Sequence, residues 1–248
     1  MNPFEAHGIE HLSPSSCNTF IASPAMFVLQ KCLKRSMPVG AAAFRGTAVE
    51  HGVSLGLSGA SEADAIKAAQ DNFSALSALS SDPRRDKEAD SIADMVKVAL
   101  AELRGYGPPT SSQGHVSYEV EGLAVPLIGY YDFEWENHGV LTDLKTSHAL
   151  PSAIKINHAR QVALYRAARG DNLSARITYV TSKKSATYAL ENPREHIATL
   201  GKIALAVQKF LSVSSDPMEL ASMVVPDVDS FYFNDPASRQ AAFDIWGI

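Results

Sequence analysis

The stretch GYYDFEWENHGVLTDLKTS (129–147) restricts this chain more than any other. Two runs rich in aromatic and aliphatic residues flank the turn-forming ENHG (136–139), a pattern that predicts a hairpin. Side chains two apart on a strand share a face, so Asp143 and Lys145 project together, and the hairpin sets Asp132 beside them. Two carboxylates and an ammonium at the ends of paired strands are expensive to bury unless a divalent cation or an anionic substrate compensates them. The run therefore predicts a site as well as a fold.

Around it the pattern predicts helices and a second strand pair. HVSYEVEG (115–122), Leu123 to Trp135 and Val140 to Thr146 read as a three-stranded meander. ARITYVTSK (175–183) and SATYALE (185–191) read as a further hairpin with Lys183 and Lys184 at its tip. Between them, Pro151 to Arg169 reads as a helix with Ile154, His158, Gln161 and Tyr165 on one stripe.

Upstream, Ser13-Pro14 and Ser23-Pro24 start two short helices. In AAAFRGTAVEHGVSLGL (41–57), Phe44, Ala48, His51 and Leu55 recur at helical spacing, which turns His51 inward as either a core residue or a ligand. Arg45 and Glu50 either lie in solvent, the default for both, or flank the site. Ser61 and Asp82-Pro83 open two more helices, and Gly105 to Gly114 is a connecting loop by composition. Downstream, Asn192-Pro193 caps a long helix and Asp216-Pro217 starts a short one. The tail aromatics Phe231, Tyr232, Phe233 and Trp246 suit packing of the terminus, or base stacking.

Taken in order, Gly129-x-x-Asp132, Asp143-Leu144-Lys145-Thr146 and Gln161-x-x-x-Tyr165 resemble the PD-(D/E)XK nucleases, and within them the RecB-like branch of phage-type exonucleases and CRISPR-associated relatives. LSPSSCNTFIASPAMFVLQK (12–31) and RGTAVEHGV (45–53) carry the resemblance back, so that it spans roughly residues 12 to 170. Position 143 is aspartate where many members have glutamate; the motif admits both.

The resemblance implies an α/β fold with a mixed sheet: a restriction-endonuclease-like core whose central sheet is flanked by helices. A helical region over 1–110, carrying His51, would pack on a nuclease core over 111–248 in one compact domain overall. It implies Asp132, Asp143, Lys145, Gln161 and Tyr165 as catalytic residues. His51, Asp132, Asp143 and the Leu144 carbonyl would hold the metal, with Glu119 either a further ligand or a solvated strand residue. The metal would be Mg²⁺ or Mn²⁺, a histidine ligand tilting the choice toward Mn²⁺. Lys145 would orient or deprotonate the attacking water. The implied activity is that of a metal-dependent DNA exonuclease in recombination, repair or phage DNA processing. A single-strand or structure-selective endonuclease and a catalytically inactive nucleic-acid-binding module are the alternatives. The implied partners are single-stranded DNA or duplex ends, a separately encoded recombination or helicase protein, and further copies of the chain.

Charge supports a polyanion locally. The net charge is −5, but from Asp143 to Lys184 eight Lys/Arg face two acids, a balance of +6 that leaves −11 for the rest. Such a basic stretch beside acidic residues suits phosphate attraction, although an ordinary solvated helix face gives the same count. Arg45, Lys155, Arg160, Lys183 and Lys184 are the candidates for DNA contact. Some relatives hold an iron–sulfur cluster on one early and three late cysteines. The only cysteines here are Cys17 and Cys32, so no such cluster is expected. The sequence has no internal repeat, no glycine-rich phosphate loop and no Ser/His/Asp nucleophile arrangement. With no membrane-length apolar run and no basic-then-apolar leader, the reading is cytoplasmic, in a bacterium or a phage-infected host.

Overall fold

A computed structural model describes residues 2–248. Its helices in chain order are α1 (Pro3–Ala6), α2 (Pro14–Ala22), α3 (Pro24–Phe27), α4 (Ala41–Leu57), α5 (Glu62–Leu76), α6 (Arg85–Asp90), α7 (Ile92–Leu103), α8 (Ile156–Arg169), α9 (Pro193–Leu211), α10 (Pro217–Ser222) and α11 (Pro236–Trp246). Five strands, β1 (Ser111–Tyr118), β2 (Leu127–Trp135), β3 (Val140–Thr146), β4 (Ser174–Val180) and β5 (Ser185–Ala189), form one mixed sheet in the order β1-β2-β3-β4-β5. The β2–β3 hairpin pairs Trp135 with Val140 and turns through Gly139, whose left-handed φ of 59° suits glycine. β3 and β4 are parallel, so the chain needs a long crossover, and α8 supplies it. β4 and β5 are antiparallel.

The sequence reading places three boundaries a few residues away. β1 starts at Ser111, not His115, and α8 at Ile156, not Pro151. β2 starts at Leu127, because Pro126 lacks the amide a ladder needs and the chain turns before it.

The chain divides into two compact units of interleaved segments: the chain up to Pro38 with Ser117–Gly129 and Asn192–Ile248, and Val39–Val116 with Tyr130–Glu191. The expected break near residue 110 is not where they separate. In the first unit, Ser13 makes a capping box ahead of Pro14. Leu12 bonds through its N–H to Pro126 O and through its carbonyl to Ile128 N–H. Ala25, Met26 and Leu29 pack with Phe233, Ala241 and Ala242. Trp246 Nε1 donates to Ala221 O at 2.8 Å. Phe233 and Trp246 thus fasten the tail, whereas Phe231 is 79% exposed. Asn192 sits in the left-handed region (φ 49°) and makes no side-chain cap, so Pro193 alone, with its fixed φ, favours the start of α9.

The second unit packs Ala48, Val49 and Val53 of α4 with Ala65, Ala69 and Phe73 of α5, Met95 and Val96 of α7, and Phe133, Trp135, Leu144 and Val180 of the sheet. Burying such side chains is worth about 1.5–3 kcal/mol each for the larger ones. The buried stripe of α4 is Ala41, Arg45, Ala48, Val49, Gly52, Val53, Gly56 and Leu57, so it is rotated from the expected one. The cause is close packing: a Cβ on Gly52 would lie 2.6 Å from the Ala65 carbonyl, and one on Gly56 2.8 Å from Leu100. Strand alternation then gives Leu144 and Thr146 to the α4 face and Asp143, Lys145 and Tyr179 to the α8 face.

Candidate active site

The site lies wholly in the second unit, where β2 and β3 part. Their ladder pairs Phe133 with Thr142. Beside that pair, the Leu144 amide donates to Asp132 Oδ2 at 2.6 Å, so a carboxylate satisfies a backbone donor. Asp132 is 6% exposed and Asp143 1%. Asp143 Oδ2 is ion-paired with the Lys145 ammonium, which is 28% exposed and reaches the carboxylate from the same face of β3. That oxygen accepts no directed hydrogen bond. Asp143 Oδ1 accepts from Gln161 Nε2 at 3.0 Å and from the Tyr165 hydroxyl at 3.4 Å. Gln161 and Tyr165, one turn apart on α8, therefore hold Asp143 together.

Burial pushes Asp132 well above the usual carboxylate range, and the charges of Asp143 and Glu50 push it further against the opposing pull of Lys145. Burial and Asp143 likewise raise Glu50, whose carboxyl hydrogen-bonds with that of Asp132. Two carboxyls so placed share a proton when no cation is there. For Lys145, burial alone would lower the pKa, but Asp143 and Asp132 outweigh it and hold the group above its ordinary value. A divalent ion on those carboxylates would oppose that shift. Burial, reinforced by Asp143, pushes the Tyr165 hydroxyl up, so it stays a donor.

The other expected site residues fall in different places. His51 is exposed, and the inward orientation read from its spacing is corrected: successive helix residues turn by about 100°, and the rotation of α4 brings Glu50 to Asp132 instead. The sequence offers Glu50 only as a residue flanking the site or exposed to solvent, and the structure takes the first. Arg45 is 3% exposed; it pairs with buried Glu88, donates to the Thr146 carbonyl at 3.3 Å and lies 3.2 Å from His148 Nε2. Its expected contact with DNA is withdrawn, because a buried guanidinium with its donors taken has none left for a phosphate. What it does is anchor the residue after Lys145. Leu144 enters through its amide, as above. Glu119 lies in the first unit, exposed past the end of β1, on the wall of a cavity of about 290 Å³ with Tyr118, Glu121 and Lys202. Lys155 is exposed at the start of α8, Arg160 is half-buried on it, and Lys183 and Lys184 are exposed at the β4–β5 turn.

Two further side chains complete the α8 face. Tyr179 pairs with Lys145 in the β3–β4 register, and its hydroxyl lies 2.8 Å from Nδ1 of His158. His158 stands one turn before Gln161 on the same stripe.

Among the described residues, no three His, Cys, Asp or Glu side chains form a ready metal cage. Two adjacent carboxylates do suit a hard cation that keeps several waters and takes substrate oxygens as further ligands. The undirected Asp143 oxygen and the raised pKa values of Asp132 and Glu50 both mark an excess of negative charge that such a cation would relieve. The residues present therefore fit a divalent ion bound by Asp132 and Asp143 with Glu50 adjacent. With oxygen ligands in place of His51, the tilt toward Mn²⁺ loses its basis.

A family model described as the PD-(D/E)XK nuclease superfamily matches residues 11–238. Among solved structures, the crystal structure of a "putative exonuclease" from Eubacterium rectale aligns over 93% of this chain and 89% of its own, with 13% identity and a TM-score of 0.55. That likeness concerns the fold. The structure of SSO0001 aligns over 50% of this chain and 69% of its own, with 15% identity and a TM-score of 0.34. No curated protein matches the sequence.

Proposed function

This chain belongs to the PD-(D/E)XK nuclease superfamily, and from that premise we propose that it is a metal-dependent DNA exonuclease. The observation that carries the reading is the gathering of Asp132, Asp143 and Lys145 into one cluster braced by Gln161 and Tyr165. Members of the superfamily generally use divalent metal ions. When bound, such an ion neutralises charge on phosphoryl oxygens and lowers the pKa of a water. Asp132 and Asp143, with Glu50, would hold Mg²⁺ or Mn²⁺. Lys145 places a positive charge beside the phosphate under attack and orients or deprotonates the water. Gln161 and Tyr165 keep Asp143 aimed, which matters because misplacing a catalytic group by an ångström can cost about a hundredfold in rate.

The choice of an exonuclease rests on the motif order shared with the RecB-like branch. The same resemblance supports a place in recombination, repair or phage DNA processing, alongside a separate helicase or recombination protein. Exposed Lys155, Lys183 and Lys184 supply local attraction for the strand.

The test is digestion of end-labelled single- and double-stranded DNA and of a covalently closed circle, with Mg²⁺ and with chelator. Cation-dependent loss of the linear substrates with the circle intact is expected. Cutting of the circle would replace the reading with an endonuclease, and binding without cutting would replace it with a silent binding module.

A further inference from the structure

On the same helix face as Gln161, His158 makes an arrangement that the carboxylate chemistry leaves unused. The backbone N–H of Lys155 donates to the Tyr179 hydroxyl at 3.1 Å, and that hydroxyl lies 2.8 Å from His158 Nδ1. With one lone pair engaged by Lys155, the hydroxyl proton finds its acceptor in Nδ1; any other arrangement leaves that proton without a partner. Nδ1 is therefore the acceptor, and the ring proton sits on Nε2. The imidazole also lies against the Tyr179 ring in a tilted contact, with centroids 5.6 Å apart and planes at 33°, which further limits its orientation.

We infer that His158 is a further substrate-binding residue, whose Nε2–H donates to a backbone phosphate lying between Lys145 and Lys155. Both lysines act on the ring. Lys145 is the β3 partner of Tyr179, and Lys155 caps the start of α8, three residues away. Burial, with the charges of Lys145 and Lys155, holds His158 down to about 4, so it is a neutral donor at working pH. A neutral donor contributes direction without adding charge, and it asks for no particular base. The inference rests on the nucleic-acid reading of the site.

The experiment measures binding of end-labelled single-stranded DNA by fluorescence anisotropy in chelator, alongside cleavage in Mg²⁺. It compares the intact chain with His158→Ala, His158→Gln and Tyr179→Phe. His158→Ala should bind about tenfold more weakly, as expected for loss of one hydrogen bond to a charged group. His158→Gln, which keeps a donor at a similar reach, should stay within about threefold of the parent, and Tyr179→Phe should fall between. The slope of log affinity against log salt should not change in His158→Ala, because no ion pair is removed; a merely unfolded variant would lose the slope with the binding. Equal binding by the parent and His158→Ala, or a Gln variant as weak as the Ala variant, overturns the inference whatever the cleavage rate. A parent that binds DNA without cutting it ends the nuclease reading and still lets the binding ratio judge His158. A parent that does not bind ends both.

Discussion

Asp132 Oδ2 accepts the Leu144 amide at 2.6 Å, and through this one bond a carboxylate on β2 takes the place of a ladder partner for β3. The consequence is that Asp132 is held close to Asp143 where backbone pairing gives way, and both are buried. Burial raises the pKa of Asp132, the charges of Asp143 and Glu50 raise it further, and the Leu144 bond together with Lys145 offsets only part of that shift.

Asp132→Asn should make the cation-free protein more stable at neutral pH while removing metal binding and cleavage. The folded pKa of Asp132 lies above its unfolded value near 4, so between the two the native state holds a proton that the unfolded chain has released. Stability attributable to this group is thus present at low pH and declines as pH rises through that window. Melting curves in chelator from pH 4 to 8 should show the parent losing ground to the Asn variant, at about 2–4 °C per kcal/mol. Parallel curves would count against the charge crowding described.

Glu50→Gln should weaken Mn²⁺ binding by about tenfold or more, and His51→Ala should leave it unchanged. Isothermal titration of the two variants decides which residue of α4 serves the site. The reverse outcome would restore the histidine.

Lys145→Ala should abolish cleavage yet leave DNA binding largely in place. It also strands Asp143, so the cation-free variant should lose about 2 kcal/mol in urea titrations, less than a fully buried pair would because the lysine is 28% exposed. An unchanged cleavage rate would remove the mechanism.

Glu88→Ala should destabilise the protein by about 3–5 kcal/mol, because it leaves the Arg45 guanidinium buried without its carboxylate. Removing both charges, as in Arg45→Met with Glu88→Leu, should recover much of that loss. A cost below about 1 kcal/mol for the single variant would show that the pair is not the anchor for Thr146.

Replacing Lys183 and Lys184 together by Ala should flatten the salt dependence of DNA binding by up to about two phosphate contacts. Anisotropy at several salt concentrations reads the slope. An unaltered slope would clear the β4–β5 turn of DNA contact.

Much of this arrangement was readable along the chain because it depends on short separations. Alternation on β3 put Asp143 and Lys145 on one face, helical spacing put Gln161 and Tyr165 on one stripe, and ENHG announced the turn that brings β2 back to β3. The apolar positions Ile92, Met95, Val96, Ala99 and Leu103 are buried on α7 as their periodicity indicates.

What periodicity missed shares one property, namely that the deciding contact comes from elsewhere in the chain. The rotation of α4 follows from Gly52 and Gly56, which have no side chain to register in a hydrophobic pattern yet mark where α5 and Leu100 press closest. That rotation brings Glu50 to the carboxylates, leaves His51 exposed and buries Arg45 against Glu88. Likewise, nothing local to His158 tells of Tyr179; the two meet because β4 lies parallel to β3 in a register set more than thirty residues away. The sequence by itself determined which residues could share a face, since that is a matter of backbone geometry over one turn or two steps. Only the tertiary structure decided which faces meet, because the angle at which a helix settles is chosen by the closest packing it can reach.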